Sequence, residues 1–267
     1  MFSIIKLTKD NFINIQKMNK ALSLCGFRAF NFLRVLQRKE GEGMEKFEGF
    51  LPETIDFLWE LRMNNHKEWM EENRTRYKRV LKDPFDRLAA DLAEQSHLFC
   101  GEAVSYSVSR INRDIRFSKD KSPYRSCRWV VFYDRNTIGT NWKLRPAFYF
   151  ELNPEGYTHG MGMYCATPAY LTAYRKKLEG NPAAFLRIAK KIEKDGVFSL
   201  DGEEYKKIKN ETLAPLLQSW YCKKDIVVRA DGPIEEMLFS PELPRVLAEK
   251  WKRLEGLYRF FAEIEVE

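Results

Sequence analysis

Over residues 52–93 the apolar side chains recur every three or four positions, from residue 104 they alternate in short runs, and from residue 168 to residue 261 the helical spacing returns. That order narrows the architectures open to the chain, because a parallel sheet needs strands and crossover helices in alternation. Here the strand-like runs 104–111, 127–133, 146–152 and 157–164 follow one another directly. Only turn-rich links separate them, around residues 136–141 and at Pro154-Glu155-Gly156. Links this short join antiparallel neighbours. The expected fold class is therefore α+β, a central antiparallel sheet with helices before and after it in sequence.

The helices are marked by proline at the first helical position, where a missing N–H leaves no bond unmade. Leu51-Pro52 opens one with Ile55, Leu58 and Leu61 as its apolar stripe, ending near Asn64-Asn65. Asn65 with Glu68 three residues on has the form of a capping box for a second helix, which carries Trp69, Asn73 and Tyr77 on one face. Asp83 is placed to cap a third at Pro84, with Phe85, Leu88, Ala89, Leu92 and Ala93 inward. Thr167-Pro168 and Asn181-Pro182 start two more, the latter burying Phe185, Ile188, Ala189 and Ile192. After a strand over residues 225–229, Ser240-Pro241 begins a last helix carrying Leu243, Val246, Leu247, Leu254, Leu257, Tyr258 and Phe261.

A chain that is 44% hydrophobic and 14% aromatic has ample material for a core. No apolar run approaches the roughly 20 residues of a membrane span, so a soluble protein without a membrane partner is expected. The five cysteines stand singly, with no CxxC pair, as in a reduced, cytoplasmic protein. The formal charge of +7 is concentrated at one end. Residues 1–43 hold eight basic and three acidic residues, leaving 37 basic against 35 acidic in the remainder, a net of +2.

That first segment is rich in Lys, Asn and Ile, with weak periodicity. It has neither the apolar core of a secretory signal nor the Arg and Ser of a transit peptide. Leu22-Ser23-Leu24-Cys25 is no lipoprotein signal, since the residue before the cysteine is not small. The Glu40-Gly41-Glu42-Gly43 run before Met44 reads like a translated ribosome-binding site. Residues 1–43 are expected to be an untranslated or disordered extension, and residues 44–267 a single α+β domain.

The stretch Arg110 to Arg125 concentrates the chemistry. Arg110, Arg113, Arg116, Lys119, Lys121 and Arg125 stand there against two carboxylates, Asp114 and Asp120. Two acids cannot neutralise so many bases, and arginine's planar fork suits phosphate or carboxylate oxygens. These six cations are the expected ligand donors for a small anionic molecule. Asp114 would hold an arginine in its working rotamer, and Asp120 or Tyr124 would transfer a proton if the ligand is a substrate. If the strand at residues 104–111 continues, Arg110, Asn112, Asp114 and Arg116 share one face; a helix, placing Val108, Ile111 and Ile115 together, is the alternative. Other readings stand beside the anion site. The stretch could be an internal salt-bridge network in a non-catalytic scaffold. It could also be a nucleic-acid-binding module or a nuclease, with Arg110, Arg116, Lys119, Lys121, Arg125 and Arg128 on phosphates and Trp69, Tyr124 or Trp129 stacking on bases. The near-neutral remainder favours a local anion site over a duplex-binding surface.

No other motif carries comparable chemistry. His66, His97 and His159 are too dispersed for a metal site, and none is assigned. Cys165 near His159 reads first as a small buried group and only second as a nucleophile. Gly160-Met161-Gly162 lacks the strand-to-helix setting of a phosphate loop. Asn64, Asn65, Trp69, Asn73 and Tyr77 either line the same cleft or serve caps and packing. The sequence specifies no cofactor and no oligomeric state.

Two groups of residues together resemble a known family. They are Phe50, Phe57-Leu58, Leu61, Asn64-Asn65, Trp69, Asn73 and Tyr77, then Arg110 and the run from Arg113 to Tyr124, followed by Tyr149-Phe150 and Gly160-Met161-Gly162-Met163-Tyr164. In these the chain resembles a bacterial family catalogued as domain of unknown function 2461, over roughly residues 45–265. The resemblance implies motif positions consistent with one fold and carries no activity with it. His159-Gly160-Met161-Gly162 stands where the family usually has a run of glycines. Residues 226–232 replace a basic, proline-rich approach to the final helix.

Overall fold

The computed structural model describes residues 45–100, 104–116, 119–134, 145–163, 166–207 and 209–266, without the side chains of residues 97–100. The extension expected over residues 1–43 lies outside the described residues, as do Phe117, Ser118, Tyr164 and Cys165. The unit Glu45–Glu267 begins with α1 (Pro52–Met63), α2 (Lys67–Glu72), α3 (Arg74–Tyr77) and α4 (Asp83–Cys100). The strands β1 (Val104–Val108), β2 (Arg128–Asp134), β3 (Pro146–Asn153) and β4 (Gly156–Met163) follow. Then come α5 (Pro168–Gly180), α6 (Pro182–Asp195), β5 (Ser199–Asp201), α7 (Pro215–Tyr221), β6 (Ile226–Pro233), α8 (Leu243–Lys252) and α9 (Glu255–Ala262). The six strands form one sheet in the order β1-β2-β3-β4-β6-β5, every neighbouring pair antiparallel. The fold is α+β, as the order of periodicities predicts.

Period two divides the sheet into unlike faces. Val130 and Phe132 of β2, Phe148, Phe150 and Leu152 of β3, Met161 and Met163 of β4, and Ile226 and Val228 of β6 are buried on one face. Helices meet that face through aromatic contacts. Phe85 of α4 lies 6.0 Å from Phe150, Trp251 of α8 lies 5.4 Å from both Phe132 and Phe148, and Tyr258 of α9 stacks on Phe148 at 5.4 Å. The opposite face carries Trp129, Val131, Tyr149, Glu151, Thr158, Arg229 and Asp231. Gly160 and Gly162 belong to this face as well. A Cβ at Gly160 would strike the carbonyl oxygen of Val228, so the close approach of β6 to β4 requires glycine there.

The expected helix start at Asp83 is absent, because the chain is helical without a break from Arg74 to Cys100 and carries Pro84 inside it. Proline has no N–H to give the carbonyl four residues back, and its ring presses on that carbonyl. The chain answers by widening at residues Lys78–Lys82 into a π turn, in which the Asp83 N–H reaches the Lys78 carbonyl. The orphaned carbonyl, Val80, instead accepts the Thr54 hydroxyl of α1 at 2.6 Å. The Thr54 oxygen in turn accepts the Leu51 N–H at 3.2 Å. Thr54 is fully buried, and this bond fixes α1 against the long helix.

Other boundaries also differ from the sequence reading. His66, not Asn65, caps α2, its ring accepting the Trp69 N–H. The last helix begins at Leu243 after a 3-10 turn over Glu236–Phe239 and divides into α8 and α9. The strand expected over residues 225–229 extends to Pro233, while β5 and α7 have no counterpart in the periodicity. The most consequential difference is at β1. It stops at Val108, and the main chain of Ser109 and its hydroxyl make a last pair of bonds with the Trp129 backbone, at 2.8 and 3.0 Å. Arg110 and Arg116 therefore do not share a strand face.

Two outcomes follow from these buried bonds. Thr54→Val keeps the shape and leaves the Val80 carbonyl without a partner, so it should cost about 1–3 kcal/mol in chemical denaturation. His159 is almost fully buried, stacked on Tyr157, and its Nδ1 accepts the Trp251 Nε1–H at 3.1 Å. Burial, with Lys250 adding to it, depresses its pKa from 6.5 to about 3. The neutral ring's contribution is complete above the unfolded value of 6.5 and is lost progressively as pH falls towards 3. Denaturation midpoints should fall over that window, and His159→Asn, which retains an acceptor without titrating, should flatten the fall.

Candidate functional site

After Ser109 the chain leaves the sheet and returns to it at Arg128, and the intervening loop is held by its own short ladder. Asn112 and Tyr124 form an isolated antiparallel bridge. The Arg113 N–H donates to the Pro123 carbonyl and the Arg125 N–H to the Ile111 carbonyl, each at 2.8 Å. Ile111 and the Tyr124 ring turn inward as its buried anchors.

The ladder is tied to the helices by Asn65, in the link between α1 and α2. Its amide nitrogen donates to the Tyr124 carbonyl at 3.0 Å, and its amide oxygen accepts the Tyr124 N–H at 3.0 Å. The side chain thus pairs with one residue's backbone as a neighbouring strand would. A second tie comes from Arg62, at the end of α1. It donates to Ser126 Oγ at 3.2 Å, forms a two-pronged pair with Glu155 in the β3–β4 turn, and lies 4.9 Å from the Trp59 ring. Below the loop, Arg128 is buried, donating to Tyr77 Oη at 2.7 Å and to Asp86 Oδ1 at 3.2 Å, with Phe85 beneath its guanidinium.

The charged residues of the loop fall into three kinds. Arg116 and Arg113 are paired with carboxylates. Arg116 holds Asp114 through Nε at 2.9 Å and Nη2 at 2.7 Å, and Arg113 meets Asp120 at 2.9 Å. Lys121 and Arg125 hold backbone carbonyls. Lys121 donates to Ile115 at 2.8 Å, while Arg125 donates to Arg110 and Asn112 at 3.2 and 2.8 Å and lies 4.8 Å from the Trp129 ring. Arg110 and Lys119 are exposed and form no ion pair among the described residues, although the Arg110 charge adds to the field that lowers the Asp114 carboxyl. Both carboxyls titrate below their ordinary range. The Arg116 guanidinium does this for Asp114, and for Asp120 the Ser122 backbone N–H and hydroxyl come first, with Arg113 contributing. They are ionised groups suited to orienting arginines.

Two residues that sequence reasoning passed over stand beside this loop. Cys127 precedes β2, and burial, reinforced by Glu151, pushes its thiol up to about 11 against the opposing influence of Arg125, Arg113 and Arg62. Glu151 lies opposite Trp129 on β2 and Thr158 on β4. Burial raises its pKa, and no described residue donates a hydrogen bond to its carboxylate. The signal was present in the sequence, since Glu151 is the one charged residue in a strand otherwise aromatic, aliphatic or amide.

A cleft of about 600 Å³ opens elsewhere, between Phe50, Leu51, Lys78, Arg79, Arg87 and Phe239, and contains no residue of the loop. Two of its cations are already paired, Arg79 with Glu53 and Arg87 with Glu45. Among the described residues no group of three or more His, Cys, Asp or Glu side chains is placed to hold a metal ion. No helix among them is long and apolar enough to cross a membrane.

Residues 53–260 match the model of the family described as "Conserved hypothetical protein (DUF2461)", and the chain belongs to that family. No curated protein matches it. The match spans α1, the Asn65 clamp, the cationic loop and the whole sheet.

The clamp generates a local prediction. Asn65→Ala removes both bonds to Tyr124 while leaving the core intact, so the Tyr124 and Arg125 amides should exchange with solvent about tenfold or more faster. The amides of β3 should be unaffected. Hydrogen exchange resolved by residue checks both.

Proposed function

We propose that the 110–125 loop of this family member binds a small phosphorylated or carboxylated molecule. The observation that carries the reading is a charge excess on a braced loop, with six cations against two carboxylates. Arg110 and Lys119 are the primary anion contacts, since neither is tied into an ion pair among the described residues. Lys121 and Arg125 shape the loop and retain further N–H donors for a ligand. Arg113 and Arg116 are held in place by Asp120 and Asp114. A carboxyl held below its ordinary range makes a weak base, so the role we assign to these two acids is orientation. Tyr124 supports the loop through its backbone and buried ring.

A nucleic-acid partner would draw on the same cations, but outside residues 1–43 the chain carries a net of only +2. Few phosphates can be neutralised by such a surface.

The test is a thermal-shift series with inorganic phosphate and small phosphorylated and carboxylated compounds, on the wild type and the Arg110→Ala/Lys119→Ala variant. A ligand bound only by the native state raises the midpoint. The expected result is a shift in the wild type that the variant loses while keeping its own midpoint. Equal shifts in both proteins would overturn the assignment. Submicromolar binding of oligonucleotides with a steep salt dependence would transfer the loop to the nucleic-acid reading.

A further inference from the structure

Glu151 is an unusual occupant of its position. It sits on the middle strands of the sheet, half-buried, with Trp129 across β2 and Thr158 across β4. Tyr149, two residues earlier on β3, shares its face, and the residue opposite Tyr149 is Gly160, which adds no side chain. A half-buried carboxylate without a donor is unfavourable to the fold, and a threonine or valine would satisfy the strand better.

The surrounding charges do not relieve it. Arg62, Arg113 and Arg125 act on the Cys127 thiol, and Arg125 lies against Trp129, yet burial is the one influence resolved on Glu151 itself. Across β4 the nearest acid in the row, Asp231, accepts the Thr158 hydroxyl at 2.8 Å and pairs with Arg229 at 3.4 Å. What remains is a carboxylate whose neighbours on the sheet face are aromatic, Trp129 across the strand pair and Tyr149 two residues earlier on β3. Carboxylate and aromatic faces together recognise an ammonium group, through charge-assisted hydrogen bonds and cation–π attraction.

We propose that Glu151, with Trp129 and Tyr149, is an ammonium-recognition subsite beside the cationic loop, so that the ligand is an amine-bearing phosphate or carboxylate. This rests on the loop being the anion site. Arg125 bridges the two regions, 4.8 Å from the ring of Trp129, which is itself the cross-strand partner of Glu151. Cross-strand side chains lie about 5 Å apart, so the Arg125 guanidinium, which keeps N–H donors for a ligand, and the Glu151 side chain are within about 10 Å of each other, a span a small metabolite covers. An ammonium partner also removes the penalty on the ionised carboxylate, so binding of the amine should weaken as pH falls and Glu151 takes up a proton.

The experiment compares short aminoalkyl phosphates with alkyl phosphates of equal length by titration calorimetry, on the wild type and Glu151→Gln. The wild type should bind the amines about tenfold more tightly, which is the gain of one charge-assisted contact. Glu151→Gln, isosteric and uncharged, should bind the two series equally and keep the alkyl phosphates at wild-type affinity. The wild-type preference should also shrink on acidification, an arm that does not depend on the variant folding. If alkyl phosphates bind but the amines gain nothing, or the gain survives in Glu151→Gln, the ammonium subsite is wrong and the loop reading stands. If neither series binds the wild type, the anion site itself is wrong and the subsite falls with it.

Discussion

The buried hydroxyl of Thr54 joins the helices that carry the loop. Pro84 sits inside a long helix at a position that strands the Val80 carbonyl, and a stranded buried carbonyl has to find a donor. Thr54 supplies it from another helix, so the irregularity becomes a tie between α1 and the rod formed by α3, the π turn and α4. The direction of α1 then sets where its far end lies. From that end Arg62 reaches Ser126 and Glu155, and Asn65 reaches Tyr124. A loop that has left the sheet is braced by side chains whose position depends on one buried hydrogen bond.

The bracing explains how the loop can carry so much like charge. Mutual repulsion among six cations would spread an unsupported segment, and exposed ion pairs alone contribute little against it. Here the opposing contributions are mostly backbone bonds within the ladder, two side-chain bonds to Tyr124, and two cations placed on carbonyls. The two carboxylates are spent on Arg113 and Arg116. Arg110 and Lys119 extend from a scaffold whose own hydrogen bonding does not require them. A braced backbone has already lost its own conformational freedom, so only the side chains' freedom remains to be lost on binding.

Fold class was legible because hydrophobic period is a local property. A two-residue period puts Val130 with Phe132 and Phe148 with Phe150 on a common face of each strand, and the register of β2 on β3 makes those faces one. Chain direction at Arg110 was not legible in the same way. The alternating pattern runs on past Val108, but the sheet ends there because Ser109 makes the last bonds to Trp129, and the next backbone partners come from residues 123–125. Asn65 shows the same limit. Locally it has the form of a cap, and only the tertiary fold brings the Tyr124 backbone within its reach. Asp83-Pro84 misled for a related reason, since a proline that normally opens a helix is accommodated mid-helix by a π turn and by a threonine 26 residues before the carbonyl it satisfies.

Glu151 belongs to a different category, visible in the sequence yet discounted by the logic that identified the strand. Alternation assigns Phe148, Phe150 and Leu152 to the core and leaves Ala147, Tyr149 and Glu151 to the other face, where a charged residue in an antiparallel sheet is ordinary if water reaches it. Here water reaches Glu151 only in part, because the residue is half-buried. Trp129 and Thr158 flank the carboxylate, and burial raises its pKa. Meanwhile β4 supplies Gly160 and Gly162 where side chains would otherwise stand, because the backbone of β6 approaches too closely for a Cβ. The same close approach that demands glycine therefore leaves Tyr149 with no side chain opposite it on β4. The strand-pairing constraint at Gly160 and the carboxylate of Glu151 therefore lie on one face of the sheet, beside Trp129 and the Arg125 that ends the loop where cations outnumber carboxylates.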